Sequence, residues 1–391
     1  MSNGVEKRSL STDAFISAVQ DYYHTTDFIP LHAPCVGATE KQKLNDCIDS
    51  TFVSSVGQFV TEFENQFIDY TKAKHAIAVV NGTMGLFLAL KTVGVGTNDL
   101  VITQSLTFVA TPNAIKMLNA DPVFIDVDRN SYSLSADDLE QFLINETVQQ
   151  SGVCIHSKTG RRISACVPMH TLGFPVEIDR IVEICKKYNL KVVEDAAESL
   201  GSFYQNQHTG TFGDIGVFSF NGNKIITTGG GGMLVTNNAE YAEKAKHLST
   251  TAKVPHAWLF EHDEIAYNLR MPNLNAALGV AQFEQLLGFL TEKRALAEFY
   301  ERFSENQPGL ISLKSLPNCS ANYWLNGFVL KDQTQRDVFL TETNQVGIQT
   351  RPLWTPMHQL DIYKDCIRTA LPNTEWLAER VVNIPSGVPC L

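Results

Sequence analysis

The sequence predicts an α/β fold, with a mostly parallel central sheet and a smaller C-terminal α/β domain. Between residues 75 and 236 the chain alternates short, nearly continuous apolar runs with helical patterns. Such runs are typical of parallel strands that helices cover on both faces of a sheet. After about residue 240 longer helical patterns take over, and residues 310–391 again mix short strands with helices.

Seven apolar runs are the strand candidates. They are HAIAVV (75–80), LVITQ (100–104), DPVFIDV (121–127), ISACVPMH (163–170), LKVVEDAA (190–197), GVFSFN (216–221) and GMLVT (232–236). Between two of them, Ile178, Ile181, Val182 and Cys185 fall at i, i+3, i+4 and i+7, which is one face of a helix. In sheets of this kind ligands bind beyond the carboxyl ends of the strands, so the residues at those ends are the candidates for function.

The pattern divides the chain into three parts. Residues 1–30 are predicted to be a polar N-terminal arm, either mobile or placed on a partner subunit. Residues 31–265 form the large, ligand-binding domain, and residues 266–391 form the small C-terminal domain. A chain of 391 residues is long enough for two such domains.

The composition is typical of a soluble globular enzyme, with 44% hydrophobic and 19% charged residues. A formal net charge of −11 argues against a general surface for nucleic acid or for anionic membranes. We recognise no secretory signal and no run of about 18 apolar residues that predicts a membrane span. The eight cysteines include no C-x-x-C pair, so we expect free thiols in a reducing cytoplasm and no metal site.

The stretch VVNGTMG places Asn81, Gly82 and Thr83 between a strand and a helix. Glycine permits a close approach of the backbone, and the free N–H groups of a helix start favour an anion. A simple N-cap turn explains the same residues equally well.

Acidic and aromatic residues follow two further strands. Glu194 and Asp195 end the run at 190–197, and Glu198 comes about one helical turn later, where it can face the same site. A carboxylate there can cap a helix, bind a metal or hold a protonated ring nitrogen, and taken alone capping or solvation is the simpler explanation. Phe108 is either a core residue or a stacking surface for a planar ligand.

A single lysine, Lys224, lies between an apolar run and four consecutive glycines (229–232). Most lysines are surface residues, but a buried lysine beside a planar aldehyde forms a Schiff base, and glycines let the backbone pass close to it. The glycines lack the spacing of a dinucleotide-binding loop or of a P-loop. Together, the motifs supply what pyridoxal phosphate (PLP) needs: an amine, a carboxylate for the ring nitrogen, an aromatic face, and Gly82, Thr83 and Ser219 for the phosphate.

An ordered series of stretches covers nearly the whole chain. It consists of FIPLHAPCVGATEKQKLNDCIDSTFVSSVGQFVTEFENQF, NGTMGL, TFVATPNAI, DPVFIDVD, VVEDAAESLGS, GTFGDIGVFSFNGNKIITTGGGGML and YNLRMPNLNAALGVAQFEQL. The series resembles the DegT/DnrJ/EryC1/StrS family of sugar aminotransferases, which have the PLP-dependent fold-type I architecture of aspartate aminotransferase. VPMHTLG, TAKVPH, NYWLN and TRPLWTPMHQLDIYKDC are most similar to the family's enzymes that aminate C4 of UDP-linked 4-keto-6-deoxy-N-acetylhexosamines in legionaminic acid and bacillosamine biosynthesis.

The resemblance implies a role for each matching residue. Lys224 resembles the family's Schiff-base lysine, and Asp195 resembles the aspartate that keeps the pyridine nitrogen protonated. The implied cofactor-binding residues are Gly82, Thr83, Met84, Phe108, Asp195, Glu198, Ser219, Lys224 and Asn268, the last of which is expected to reach the phosphate bound to the partner subunit. Substrate contacts are expected at Ser55, His170, Arg351 and His358.

The resemblance also implies a transamination in two halves, catalysed by a homodimer with shared active sites. The expected donor is L-glutamate, which leaves as 2-oxoglutarate while the cofactor passes to its pyridoxamine phosphate form. The amine then goes to C4 of the UDP-linked keto-sugar, for the synthesis of a bacterial surface glycan such as lipopolysaccharide or capsule.

Four alternatives remain open from the sequence. Two are enzymes of the same chemistry, a GDP-perosamine synthase-like and a dTDP-sugar aminotransferase. The third is a PLP-dependent dehydratase, against which Lys224 argues because the family's dehydratases have histidine at that position. The fourth is a PLP-binding regulator without turnover.

Overall fold

The computed structural model describes residues 12–389. Its α-helices are α1 (Thr12–Tyr23), α2 (Ala38–Asp49), α3 (Gln58–Thr71), α4 (Gly82–Thr92), α5 (Ala110–Lys116), α6 (Ala136–Glu146), α7 (Ile178–Lys187), α8 (Ala239–Ser249), α9 (Asn273–Glu284), α10 (Leu286–Glu305), α11 (Gln333–Gln345) and α12 (Pro372–Arg380). Its strands are β1 (His75–Val79), β2 (Leu100–Gln104), β3 (Asp121–Ile125), β4 (Thr147–Gln150), β5 (Val153–His156), β6 (Ile163–Val167), β7 (Lys191–Asp195), β8 (Phe203–Tyr204), β9 (Gln207–His208), β10 (Ile215–Ser219), β11 (Gly232–Thr236), β12 (Ile311–Ser312), β13 (Cys319–Ser320), β14 (Asn326–Val329), β15 (Arg351–Pro352) and β16 (Val381–Ile384). Two short 3₁₀ helices span Thr171–Gly173 and Met357–Gln359.

The seven predicted strands form one central sheet, in the order β1-β11-β10-β7-β6-β2-β3. β11 pairs antiparallel with both of its neighbours, and the other pairings are parallel. All five residues of β2 and of β11 are buried, as expected for strands covered on both faces. The predicted α/β class with a mostly parallel sheet is therefore confirmed.

A second, antiparallel sheet lies in the C-terminal part of the chain, in the order β12-β14-β16-β15. Its core includes Phe328 from β14, Tyr300 from α10 and Phe339 from α11. This region matches the α/β character predicted for the small domain.

Residues 12–23 differ from the predicted N-terminal arm. They form α1, and its Phe15 and Val19 are fully buried in the core of the C-terminal region. The Phe15 ring lies 4.9 Å from that of Phe339 and 5.8 Å from that of Phe328, measured between centroids. The arm prediction is wrong for these residues, because a short i, i+4 apolar pair is enough to anchor a helix. Residues 1–11 of the predicted arm lie outside the described residues.

The cysteine prediction needs one correction. Cys47, Cys154, Cys166, Cys185, Cys319 and Cys366 are free thiols, whereas Cys35 is disulfide-bonded and Cys390 lies outside the described residues. Within residues 12–389, no helix combines the length and the hydrophobicity needed to cross a membrane. The same residues contain no cluster of histidine, cysteine and carboxylate side chains suited to a metal ion.

Candidate active site

A cavity of about 370 Å³ lies at the carboxyl edge of the central sheet. Its walls come from the segments that follow β1, β2, β6, β7 and β10, and from two tryptophans of the C-terminal region. The residues that line it are Asn81, Gly82, Thr83, Leu86, Phe108, Ala110, Met169, Asp195, Ala197, Glu198, Ser219, Asn221, Asn223, Lys224, Gly230, Gly231, Trp324 and Trp354.

Lys224 lies on a loop that leaves the sheet at the end of β10 and returns at β11. The loop is closed at its base, because the N–H of Phe220 donates to the carbonyl of Gly231 at 2.9 Å. A β-carbon at Gly231 would lie 2.3 Å from Oγ1 of Thr228, so only glycine allows this closure. The glycine run thus lets the backbone fold back tightly and leaves room for the lysine side chain.

The Lys224 amine contacts a carboxylate and an aromatic ring. Its Nζ is 3.3 Å from Oε1 of Glu198 and 3.9 Å from the centroid of the Trp324 ring. The Lys224 side chain keeps 14% of its surface exposed, whereas that of Glu198 keeps 1%. The amine is therefore partly enclosed and still open to the cavity.

Glu198 is fixed by its second oxygen, which accepts the N–H of Leu172 at 2.8 Å. Burial raises the pKa of Glu198 to about 7, although the nearby Lys224 ammonium and the hydrogen bond from Leu172 work in the opposite direction. A carboxyl group with this pKa exchanges its proton near neutral pH. It can therefore pass a proton to or from Lys224.

Asp195 ends β7 and is almost completely buried. Its carboxylate accepts hydrogen bonds from Oγ1 of Thr111 at 2.6 Å and from the N–H of Ala197 at 3.2 Å. Burial nevertheless raises the pKa of Asp195. A cationic group placed beside this carboxylate would offset its desolvation and favour the charged form.

The start of α4 forms a cradle for an anion. The side chain of Asn81 caps the helix by accepting the N–H of Met84 at 2.8 Å. Gly82 and Thr83 are the first two helical residues, so their N–H groups have no intrahelical acceptor. A β-carbon at Gly82 would lie 2.8 Å from Cβ of Ser219, so glycine is what brings the helix start against that serine.

The structure places seven of the predicted cofactor residues around the cavity. They are Gly82, Thr83, Phe108, Asp195, Glu198, Ser219 and Lys224. Met84 contributes its N–H to the helix cap instead. Phe108 is half exposed, and its ring centroid lies 6.5 Å from that of Trp354, so its face is open to a planar ligand.

His170, a predicted substrate contact, lies beneath the cavity. Its side chain is fully buried, its Nε2 lies 3.0 Å from Oε2 of Glu194, and its Nδ1 accepts the N–H of Val176 at 3.3 Å. Both ring nitrogens are thus used within the chain, which corrects the expectation of a substrate contact. Glu194 also accepts the N–H groups of Gly210, Phe212 and Gly213, each at 2.7 Å, and so holds the loop that leads into β10.

The other predicted substrate contacts are not brought to the cavity of the single chain. Ser55 is half-buried outside it. Arg351 is exposed and donates to Oδ1 of Asn344 at 3.2 Å. His358 has one ring nitrogen 2.8 Å from Oγ of Ser105, and the other faces Glu375. Contacts of these three residues with a substrate therefore stay proposals.

Asn268, the predicted cross-subunit residue, is exposed and lies outside the cavity of its own chain. Its Oδ1 accepts from Nε of Arg270 at 2.9 Å. This position leaves the expected contact with a partner's cofactor as a proposal.

The sequence assigned no role to several residues of the site. They include Trp324, Asn223 and Met169, which line the cavity, and Thr111, which donates a hydrogen bond to Asp195. Trp324 belongs to the NYWLN stretch, which indicated only the resemblance. Its contact with the lysine loop joins residues 101 positions apart, since its Nε1 donates to the carbonyl of Asn223. No local pattern predicts such a pairing.

Comparisons with known proteins agree with this geometry. A model of the DegT/DnrJ/EryC1/StrS aminotransferase family matches residues 34–389. A GDP-perosamine synthase of Escherichia coli O157:H7 is 36% identical over 360 residues, which cover 92% of this chain and 93% of that protein. A putative pyridoxal phosphate-dependent aminotransferase of Bacillus subtilis, EpsN, is 34% identical and covers 92% of this chain and 91% of its own.

Among solved structures, the aminotransferase TlmJ from Streptoalloteichus hindustanus matches with a TM-score of 0.84 and 28% identity, covering 93% of this chain and 94% of its own. This likeness confirms the expected fold-type I architecture. With the family match, it also confirms the expected cofactor and reaction class. The chain therefore belongs to the DegT/DnrJ/EryC1/StrS aminotransferase family and is a PLP-dependent sugar aminotransferase.

Proposed function

We propose that this enzyme transfers an amino group from L-glutamate to C4 of a nucleotide-linked 4-keto-6-deoxyhexose, with Lys224 as its catalytic lysine. The observation that carries the proposal is the amine of Lys224, held at the mouth of a cavity that also contains Asp195 and the start of α4. The three features lie at the carboxyl ends of β1, β7 and β10, on one edge of the central sheet, where α/β enzymes bind their ligands.

The residues of the cavity fit PLP chemically. Lys224 offers an amine, Asp195 offers a buried carboxylate that gains from a cationic neighbour, and Gly82 and Thr83 offer N–H groups to a phosphate. Ser219 adds a hydroxyl beside Gly82. When bound, PLP supplies an aldehyde that amines attack and a protonated ring that withdraws electrons from the adjacent carbon.

The chain's own residues then have distinct tasks. Asp195 holds a proton on the ring nitrogen, because a cation beside this buried carboxylate offsets its desolvation and favours its charged form. Lys224 binds the cofactor covalently at rest and, once released, moves a proton with its neutral amine. Oε1 of Glu198, 3.3 Å away, takes up the proton that makes this amine neutral.

The sugar nucleotide is proposed with two candidates. The first is a GDP-linked 4-keto-6-deoxymannose, supported by the identity to GDP-perosamine synthases of Escherichia coli O157:H7 and Vibrio cholerae. The second is the UDP-linked 2-acetamido-4-keto sugar, supported by the resemblance of VPMHTLG and TRPLWTPMHQLDIYKDC. The identity to the GDP-perosamine synthases extends over 92% of this chain, so the GDP-linked sugar is the first choice.

A competition assay separates the candidates. The purified enzyme is given L-glutamate and equal amounts of the GDP-linked, UDP-linked and dTDP-linked 4-keto sugars, and kcat/KM is measured for each. The GDP-linked sugar is expected to give the highest value. A higher value for either rival reassigns the nucleotide, and no amination of any of them, with the PLP band unchanged by L-glutamate, contradicts the aminotransfer itself.

We further propose a homodimer with shared active sites, acting in the cytoplasm on the way to a surface glycan. The support is the exposure of Asn268 beside a hairpin whose Trp258, Phe260 and Ile265 are 76%, 79% and 85% exposed. Large apolar side chains grouped in this way are typical of an interface. Light scattering should give at least twice the mass of one chain, and a fully active monomer would contradict the dimer.

A further inference from the structure

Trp324 is a buried residue of the C-terminal region that contacts the lysine loop at two points. Its indole ring lies 3.9 Å from Nζ of Lys224, measured to the ring centroid. Its Nε1 donates to the carbonyl of Asn223, the residue before that lysine, at 2.6 Å. One side chain thus contacts both the reactive amine and the backbone that carries it.

The turn that carries Trp324 is tied to the other neighbour of the amine. Asn322, fully buried, donates through Nδ2 to the carbonyls of Glu198 at 2.8 Å and of Leu200 at 2.9 Å. Its Oδ1 accepts the N–H of Trp324 at 2.8 Å. The backbones of the two residues that contact the amine, Trp324 and Glu198, are therefore joined through one amide.

The carbonyl of Trp324 is held as well. It accepts a hydrogen bond from Nζ of Lys293 at 3.1 Å, and the same amine donates to the carbonyl of Ser386 at 2.6 Å. The ring of Trp324 has its donor satisfied and its backbone anchored on both sides. It therefore presents a rigid face to Lys224.

We propose that Trp324 is a positioning residue for the Lys224 amine, holding it against Glu198 whenever it is not bound to the cofactor. The inference rests on the role of Lys224 proposed above. A lysine side chain has several rotatable bonds, and a released amine that swings away from the reacting carbon loses the advantage of proximity. The face of an indole attracts an ammonium group, and here the ring lies 3.9 Å from an amine whose other neighbour is a fixed carboxylate.

A purely structural role for Trp324 makes different predictions. The residue also packs in the large hydrophobic core beside Leu325 and Leu172. If packing were its whole contribution, substitution would lower stability and leave the pH dependence of the amine unchanged in every variant that still folds.

The test compares Trp324→Leu, which removes the aromatic face, with Trp324→Phe, which keeps a face and loses the hydrogen bond to Asn223. Trp376→Phe is the matched control, since the Trp376 ring also faces a cation, Arg129 at 4.4 Å, and does not line the cavity. The cofactor-free chains are treated with formaldehyde and cyanoborohydride between pH 6 and 10, and methylation of the Lys224 peptide is followed by mass spectrometry.

We expect the methylation profile of Trp324→Leu to move to lower pH by about half a unit to one unit, because the ammonium form has lost its aromatic neighbour. Trp324→Phe should move less, and Trp376→Phe should match the wild type. In the holoenzyme, kcat of Trp324→Leu should fall roughly 10- to 100-fold, with KM for the sugar nucleotide changed by less than about threefold.

The outcomes separate this inference from the proposed function. If borohydride fixes PLP to a lysine other than Lys224, the proposed function fails and this inference fails with it. If Lys224 carries PLP, a wild-type methylation profile and wild-type kcat in Trp324→Leu overturn the positioning role alone. Should that variant not fold, as judged by circular dichroism, Trp324→Phe decides: an unshifted profile with unchanged kcat also overturns it.

Discussion

Two lysines contact Trp324, and they differ in burial, in hydrogen-bond partners and in access to the cavity. Lys224 lies in the cavity beside a carboxylate and the face of the indole. Lys293 lies on α10, is 1% exposed, and donates to the carbonyls of Tyr323, Trp324 and Ser386.

The difference teaches that burial alone does not identify a catalytic lysine. Lys293 is the more buried of the two, and burial holds its pKa well below the usual value. All of its hydrogen bonds nevertheless go to backbone carbonyls of two chain segments. Its role is therefore structural, because it holds these two segments together. Lys224 has a proton-exchanging partner and an open cavity, and those two features make an amine useful for chemistry.

The largest effect is expected when the amine of Lys224 is removed. Lys224→Ala should keep the fold and bind PLP without a covalent bond, while kcat falls by about 10⁴-fold or more. Borohydride reduction of the wild type, followed by peptide mapping, should place the cofactor on Lys224. Lys293→Met serves as the control and should still be labelled at Lys224; a label on any other lysine contradicts the assignment.

The next effect compares two carboxylates that are neighbours on β7. Asp195→Asn should lose kcat by on the order of 10²-fold or more, since an amide carries no charge to keep the ring nitrogen protonated. Glu194→Gln should lower the stability of the fold instead. In the wild type the Glu194 carboxylate accepts N–H groups from three residues of one loop.

Steady-state kinetics and thermal melts on both variants check this prediction. Near-normal turnover in Asp195→Asn would refute its role. A Glu194→Gln variant that melts like the wild type and loses as much kcat would show that the two carboxylates act together.

A smaller effect is expected when the amine of Lys293 is removed. Lys293→Met should lower the free energy of unfolding by about 2 kcal/mol, because buried carbonyls lose their donor while the apolar stem is kept. Turnover below the melting temperature should fall by less than about tenfold. Urea titration with kinetics on the same preparation measures both, and a loss of PLP binding at full stability would contradict the structural role.

The sequence predicted the part of the site that lies at the carboxyl ends of the central strands. Lys224, Asp195, Glu198 and Gly82 follow strands whose apolar runs are nearly continuous, so their placement at one edge follows from sheet topology alone. The end of β6 was placed too far along the chain, at residue 170, because the sequence stays largely apolar after the strand stops at Val167.

The sequence did not predict the side of the cavity that comes from the C-terminal region. Trp324 and Trp354 reach it through tertiary packing, and no local pattern records which distant residues meet. The opposite error occurs at His170. Its motif predicted a substrate contact, but its ring is hydrogen-bonded to Glu194. That contact follows only from the pairing of β6 with β7. Roles read from a motif are therefore safest where the residue's neighbours are set by the same strand edge.

The last expected effect is a change in how stability depends on pH, and it concerns Glu198, the carboxylate that contacts Lys224. Burial raises the pKa of Glu198 from 4.5 to about 7 in the folded, cofactor-free chain. Between these two pH values the folded chain binds a proton that the unfolded chain has released, so this group makes stability fall as pH rises. In Glu198→Gln the residue does not titrate. The stability of the wild type relative to this variant should therefore decrease from about pH 4.5 to about pH 7 and stay level on either side.

Urea midpoints of both cofactor-free chains across this range provide the measurement. A constant difference, or one that grows in favour of the wild type as pH rises, would show that Glu198 stays charged at neutral pH and acts on Lys224 only as a fixed counter-ion.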